Sequence, residues 1–91
     1  MTRDAKFYFA NLGADVSRCL RAADDGNEDR YNDSLDRAYH TLDYLRNRPE
    51  VHEEGLLLLR GLAFAKDSKN SRNSFRNSLN KYIATLRGIY T

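Results

Sequence analysis

At 91 residues, 41% apolar and 31% charged, the chain has room for one domain with one modest core, and it is too hydrophobic to stay disordered. Its apolar runs, such as Leu56–Leu59, fall far short of the roughly 20 residues that cross a bilayer, and its one cysteine, Cys19, excludes an internal disulfide and a cysteine zinc site. The net charge of +2 hides an asymmetry that bears on partners rather than fold: residues 1–59 carry eight Arg/Lys against twelve Asp/Glu, and residues 60–91 carry seven against the single Asp67.

The opening MTRDAKFYFANLG has a charged start and no sustained apolar stretch, so no signal peptide is expected and the chain reads as cytoplasmic. From about Arg3 to Asp24, residues Ala5, Phe9, Leu12, Val16, Cys19, Leu20 and Ala23 recur at steps of three and four, the stripe of an amphipathic helix. Gly13 inside it suggests close approach of a neighbouring helix. Asp24-Asp25-Gly26-Asn27 then reads as a stop and a start: Gly26 suits the left-handed position after a helix, and Asn27 suits the cap of the next one.

The second helix, about Glu28 to Asn47, has the cleanest pattern, with Tyr31, Leu35, Ala38, Leu42 and Leu45 on one face. Glu28 and Asp29 complement the dipole at its start, and Arg46 and Arg48 at its end. Pro49 pushes Arg48 out of the helical region and itself suits the first position of a third helix, about Pro49 to Lys66. Here GLLLLRGLAFA carries more leucine than one stripe holds. Val51, Leu58, Leu62 and Ala65 form one line and Leu56, Leu59 and Ala63 an adjacent one; either this is the most buried helix of the domain, or part of it, the adjacent line, faces another subunit. Gly55 and Gly61 would let neighbours come close. A fourth helix, capped by Asn70 or Ser71, has Phe75, Leu79, Tyr82, Ile83, Leu86 and Tyr90 on one face, with Gly88 suggested as its end. Short connections between long helices predict an all-α, up-down antiparallel four-helix bundle spanning residues 1–91.

Arg46, Asn47 and His52 in the stretch RNRPEVH are open to two readings. By local rules they mark a corner, with Arg46 closing one helix and His52 in the first turn of the next. The stretch also resembles the active-site motif of HEPN-type domains, small helical bundles that often dimerise and include many metal-independent ribonucleases. Their motif is an arginine, a polar residue and then a histidine about four to six positions beyond the arginine. The resemblance implies that His52 handles a proton at the 2′-hydroxyl or leaving oxygen and that Arg46 holds the scissile phosphate. Histidine chemistry near neutral pH and guanidinium geometry suit those roles.

Two charged surfaces are candidates for binding. Asp29, Asp33, Asp36, His40 and Asp43 fall on one face of the second helix. They spread over about 20 Å at 1.5 Å per residue, so they cannot converge on a hard cation, and the stripe reads as a solvated face or a dock for a basic partner. Lys69, Arg72 and Arg76 share one side of the fourth helix with Asn73, Asn77 and Asn80 beside them, a set that could hold phosphates but that reads first as a plain solvated face or as pairing with the acidic stripe of the second helix, in the same or another chain. No nucleophile–base pair, glycine-rich phosphate loop or cysteine–histidine cluster is present, so neither cofactor nor metal is expected. The favoured reading is a non-catalytic interaction module, a homodimer joined through the third helix at Leu56, Leu59 and Ala63 and part of the first. Its acidic face (Asp33, Asp36, Asp43) and basic face (Lys69, Arg72, Arg76) would select a protein partner. The alternative is a HEPN-like RNA-binding or RNA-cleaving domain working through Arg46 and His52.

Overall fold

The computed structural model describes the backbone of residues 5–89 and the side chains of residues 7–82 and 84. Four helices run in chain order: α1 (Ala5–Asp24), α2 (Glu28–Asp43), α3 (Pro49–Ala65) and α4 (Lys69–Ile89). The expected all-α, up-down four-helix bundle is what forms, and pairs of distant residues give its directions. Cys19 near the end of α1 meets Tyr31 near the start of α2, and Gly55 early in α3 lies against Leu42 late in α2. Glu54 early in α3 bonds Tyr82 late in α4. Each consecutive pair is therefore antiparallel. α1 and α3 touch across the diagonal, whereas α2 and α4 do not among the described residues.

The turns follow from their residues. Gly26 adopts φ 70°, Gly26 N–H donates to Ala23 O, and Asn27 N–H donates to Ala22 O, which together make a Schellman motif. Asn27 then caps α2 by accepting from Arg30 N–H at 3.0 Å. α2 ends at Asp43 rather than Asn47. Tyr44, Leu45, Arg46 and Arg48 bond three residues back in tightened turns, because Pro49 keeps Arg48 out of the helical region, at φ −125° and ψ 81°, and the chain must leave the helix before it. The cap of α4 is Ser68, whose Oγ accepts from Ser71 N–H, not Asn70 or Ser71. α4 continues through Gly88, and the side chains of Ile83 and Leu86, with Tyr90 as a whole, lie outside the described residues.

One core serves all four helices. Leu12, Val16 and Leu20 of α1, Leu42 of α2, Leu62 of α3 and Leu79 of α4 are buried together, and Leu45 on the turn after α2 joins them. Each such side chain taken from water contributes about 1.5–3 kcal/mol. Gly55 and Gly61 act as the close-approach points expected of them. A Cβ at Gly55 would lie 2.5 Å from Leu42 Cδ1 and 3.1 Å from Leu12 Cδ2, and one at Gly61 would lie 2.7 Å from Phe75 Cε2. Cys19 is fully buried, its thiol bonded to Tyr31 O, and burial raises its pKa to about 11 with help from Asp15. It is a core residue and not a nucleophile. Among the described residues no helix is long and apolar enough to cross a membrane.

Candidate interaction surface

The acidic stripe of α2 faces outward as expected, with Asp29, Asp33, Asp36, His40 and Asp43 all exposed. His40 Nδ1 lies 2.9 Å from Asp36 O, a local bond within one helical turn. Among the described residues no group of three or more His, Cys, Asp and Glu side chains is placed to hold a metal ion.

The basic trio of α4 is differently disposed from its sequence reading. Arg72 Nε donates to Asp24 Oδ1 and Arg76 Nη2 to Asp24 Oδ2, both at 2.7 Å, so one carboxylate at the end of α1 clamps two arginines at the start of α4. Arg72 Nη1 also donates to Lys66 O, and Arg76 Nη1 to Asn73 Oδ1. The two hydrogen bonds, from Arg72 first and then Arg76, hold the Asp24 carboxyl below its ordinary pKa of 3.8. Their partner is thus Asp24 and not the acidic stripe of α2, and both guanidinium groups are engaged inside the chain. Only Lys69 of the trio is fully exposed. Lys66 joins α3 to α2 instead, reaching Glu28 at 3.0 Å while its ammonium sits 4.3 Å from the centre of the Tyr31 ring.

Arg46 stands on the turn after α2 with its side chain 74% exposed and 3.3 Å from Asp43. His52 is half-buried in the first turn of α3, where its N–H donates to Arg48 O. Beside this corner Tyr44 is exposed and stacks on Tyr8 at 5.0 Å between ring centres.

The leucine quartet divides by position around α3. The buried line is Val51, Gly55, Leu59, Leu62 and Ala65, in steps of four, four, three and three. Leu59 therefore belongs to the core and not to an interface, and Leu58, half-buried, flanks that line. Leu56 is half-buried against the core and Ala63 is exposed. The large apolar side chains that α3 leaves outside are Leu57 at 54% and Phe64 at 90% exposure. They are seven residues apart, so two turns place them on one outer stripe. Sequence reasoning did not single out Phe64. The available signal was its spacing from Leu57, opposite the buried line.

Beside this stripe the α3–α4 seam is open. A cavity of about 260 Å³ lies between Leu57 and Leu58 on α3 and Phe75, Leu79 and Tyr82 on α4. A second, of about 350 Å³, lies between Phe64 and Ala65 on α3 and Ser71 and Ser74 on α4. The small serines of α4, Ser71, Ser74 and Ser78, leave room that bulkier residues would fill. The seam between α1 and α2 also has a hollow beside it, of about 430 Å³, but polar and charged side chains line it, among them Arg18, Asp36, Arg37 and His40; Asp15 there has a side chain 8% exposed and accepts from Arg18 at 2.8 Å and from Thr41 at 3.5 Å. Asp15 went unnoticed in the sequence although it sits in register with Leu12 and Cys19. Among the described residues no buried side-chain polar atom lacks a partner. No protein-family model, curated protein or solved structure matches the chain.

Proposed function

We propose that this chain is a non-catalytic association module, a helical bundle that assembles with itself through the outer face of α3 and its seam with α4. The observation that supports the reading is Phe64, whose ring is 90% exposed on a helix whose core line is already complete. Leu57 extends the apolar surface along the same stripe, and the seam cavities deepen it. Exposed single hydrophobes are ordinary; an exposed phenylalanine, an exposed leucine and an apolar cleft in one patch mark a contact surface. The acidic face of α2, with Asp33, Asp36 and Asp43, lies on a different helix and is left for a basic protein partner. The reading is tested by light scattering on a sizing column with wild type and Leu57→Glu. A dimer that becomes a folded monomer in the variant supports it; unchanged mass in the variant places the contact elsewhere.

A second reading is an RNA-cleaving domain of the HEPN type. It draws support from the corner between α2 and α3, where Arg46, Arg48 and Tyr44 are all exposed and His52 lies one helical turn beyond Arg48. RNA cleavage abolished by His52→Ala with folding intact would move this reading to first place. The first reading predicts no cleavage by either protein.

A further inference from the structure

The same outer face of α3 carries charge as well as apolar surface, in an order that selects its occupant. From N- to C-terminus the stripe runs Glu53, Leu57, Arg60, Phe64, at steps of four, three and four. Glu53 and Arg60 are exposed, and neither has an ion-pair partner within the described chain. The acid lies toward one end and the base about 10 Å further on, at 1.5 Å per residue. Next to the stripe, the cavity floored by Phe75 and Leu79 is a hole, and Phe64 is a knob with nothing covering it. A single face thus holds both halves of a contact: acid and base, knob and hole.

We infer that the occupant is a second copy of this chain, packed with its α3 antiparallel to the first about a two-fold axis. The inference rests on the association reading above and specifies its geometry. An isologous contact requires one patch to be complementary to itself, and a patch with both signs of charge in linear order meets that requirement only in the antiparallel sense. With the axis passing between Leu57 and Arg60, Arg60 of each copy lies about 6 Å along the helix from Glu53 of the other, within reach of the two long side chains. Phe64 of each comes level with the Glu54–Tyr82 end of the other's cavity. Parallel pairing would set Glu53 against Glu53 and Arg60 against Arg60. The bundle measures 38 × 24 × 19 Å, so its long faces match the roughly 800 Å² per partner that a stable interface uses.

The experiment is sedimentation equilibrium at low salt on wild type, Glu53→Arg, Arg60→Glu, the double variant carrying both, and Phe64→Ala, with circular dichroism to verify folding. The geometry predicts that each single charge variant raises the dimer Kd by about tenfold, because it turns two attractive contacts into two repulsive ones, and that the double variant returns to near the wild-type value. Phe64→Ala raises Kd by at least tenfold at any salt concentration. A dimer indifferent to the single charge changes but weakened by Phe64→Ala overturns the antiparallel arrangement and leaves the association reading standing. A wild type that is monomeric throughout overturns both.

Discussion

Between α1 and α2 the chain turns through a Schellman motif into an asparagine cap, and the hollow beside that seam is lined by charged and polar groups, with Asp15 buried and fully partnered among them. Between α3 and α4 it turns through a single serine cap, and the seam stays open over two cavities with Leu57 and Phe64 outside. The difference originates in composition around the helix axis. α2 has one buried stripe, Tyr31, Ser34, Ala38 and Leu42, and its outer face is charged and polar apart from the half-exposed Tyr39. α3 has apolar residues left over once Val51, Gly55, Leu59, Leu62 and Ala65 have faced inward, and the surplus has no intrachain partner. A helix with more hydrophobic surface than its own core can use is a helix prepared for a second contact.

That contrast can be broken most forcefully at the leucines. Leu62→Ala, at a site with no exposed surface, is expected to cost about 2–5 kcal/mol of stability, read as a drop in the urea midpoint. Leu57→Ala on the outer face is expected to change monomer stability by no more than about 0.5 kcal/mol. Equal losses at the two positions would mean that Leu57 packs within the monomer and that the two halves are not different.

The two glycines of α3 sharpen the same comparison. Alanine at Gly55 meets Leu42 and Leu12 in the closed part of the core, and overpacking there is expected to cost about 1–3 kcal/mol. Alanine at Gly61 meets only the edge of the half-buried Phe75 ring, which borders open space, so the gain in helix propensity of about 1 kcal/mol offsets the contact. Thermal melts should therefore fall for Gly55→Ala and stay level or rise for Gly61→Ala.

A smaller loss than at Leu62 or Gly55 belongs to the clamp that ties α1 to α4. Asp24→Asn weakens both arginine contacts and should lower stability at neutral pH by about 1 kcal/mol. Because the folded protein holds the Asp24 carboxyl below its ordinary value, its contribution is present above about pH 4 and is lost as pH falls through the depressed pKa. Acid titrations of the two proteins should converge at low pH; curves that remain parallel would show that the clamp does not titrate with folding.

Much of this architecture was legible in the sequence. Helix number, order and turn chemistry followed from the three- and four-residue steps of α1 and α2, from Gly26-Asn27 and from Pro49, because local sterics decide them. The surface was less legible. The leucine quartet offers several possible stripes, and the choice of Leu59 over Leu58 as the buried one depends on where α1 and α2 present Leu12 and Leu42 to Gly55. Arg72 and Arg76 read as a solvated or partner-seeking basic face because their partner Asp24 lies 48 and 52 residues away and only the folded bundle brings it near. Phe64 betrays its outward position only through its seven-residue spacing from Leu57, and that spacing has meaning only once the buried line of α3 is known.

The central claim, that a second copy covers the surplus surface of α3, is tested most directly by the mass of the wild-type protein in solution. Sedimentation equilibrium from about 1 to 100 µM, at low and high salt, spans the affinities expected of an interface of this size. The account predicts a reversible shift toward twice the 10.5 kDa chain mass, persisting at high salt because apolar burial supplies most of the energy. A mass of 10.5 kDa at every concentration would contradict it and leave Phe64 and Leu57 uncovered.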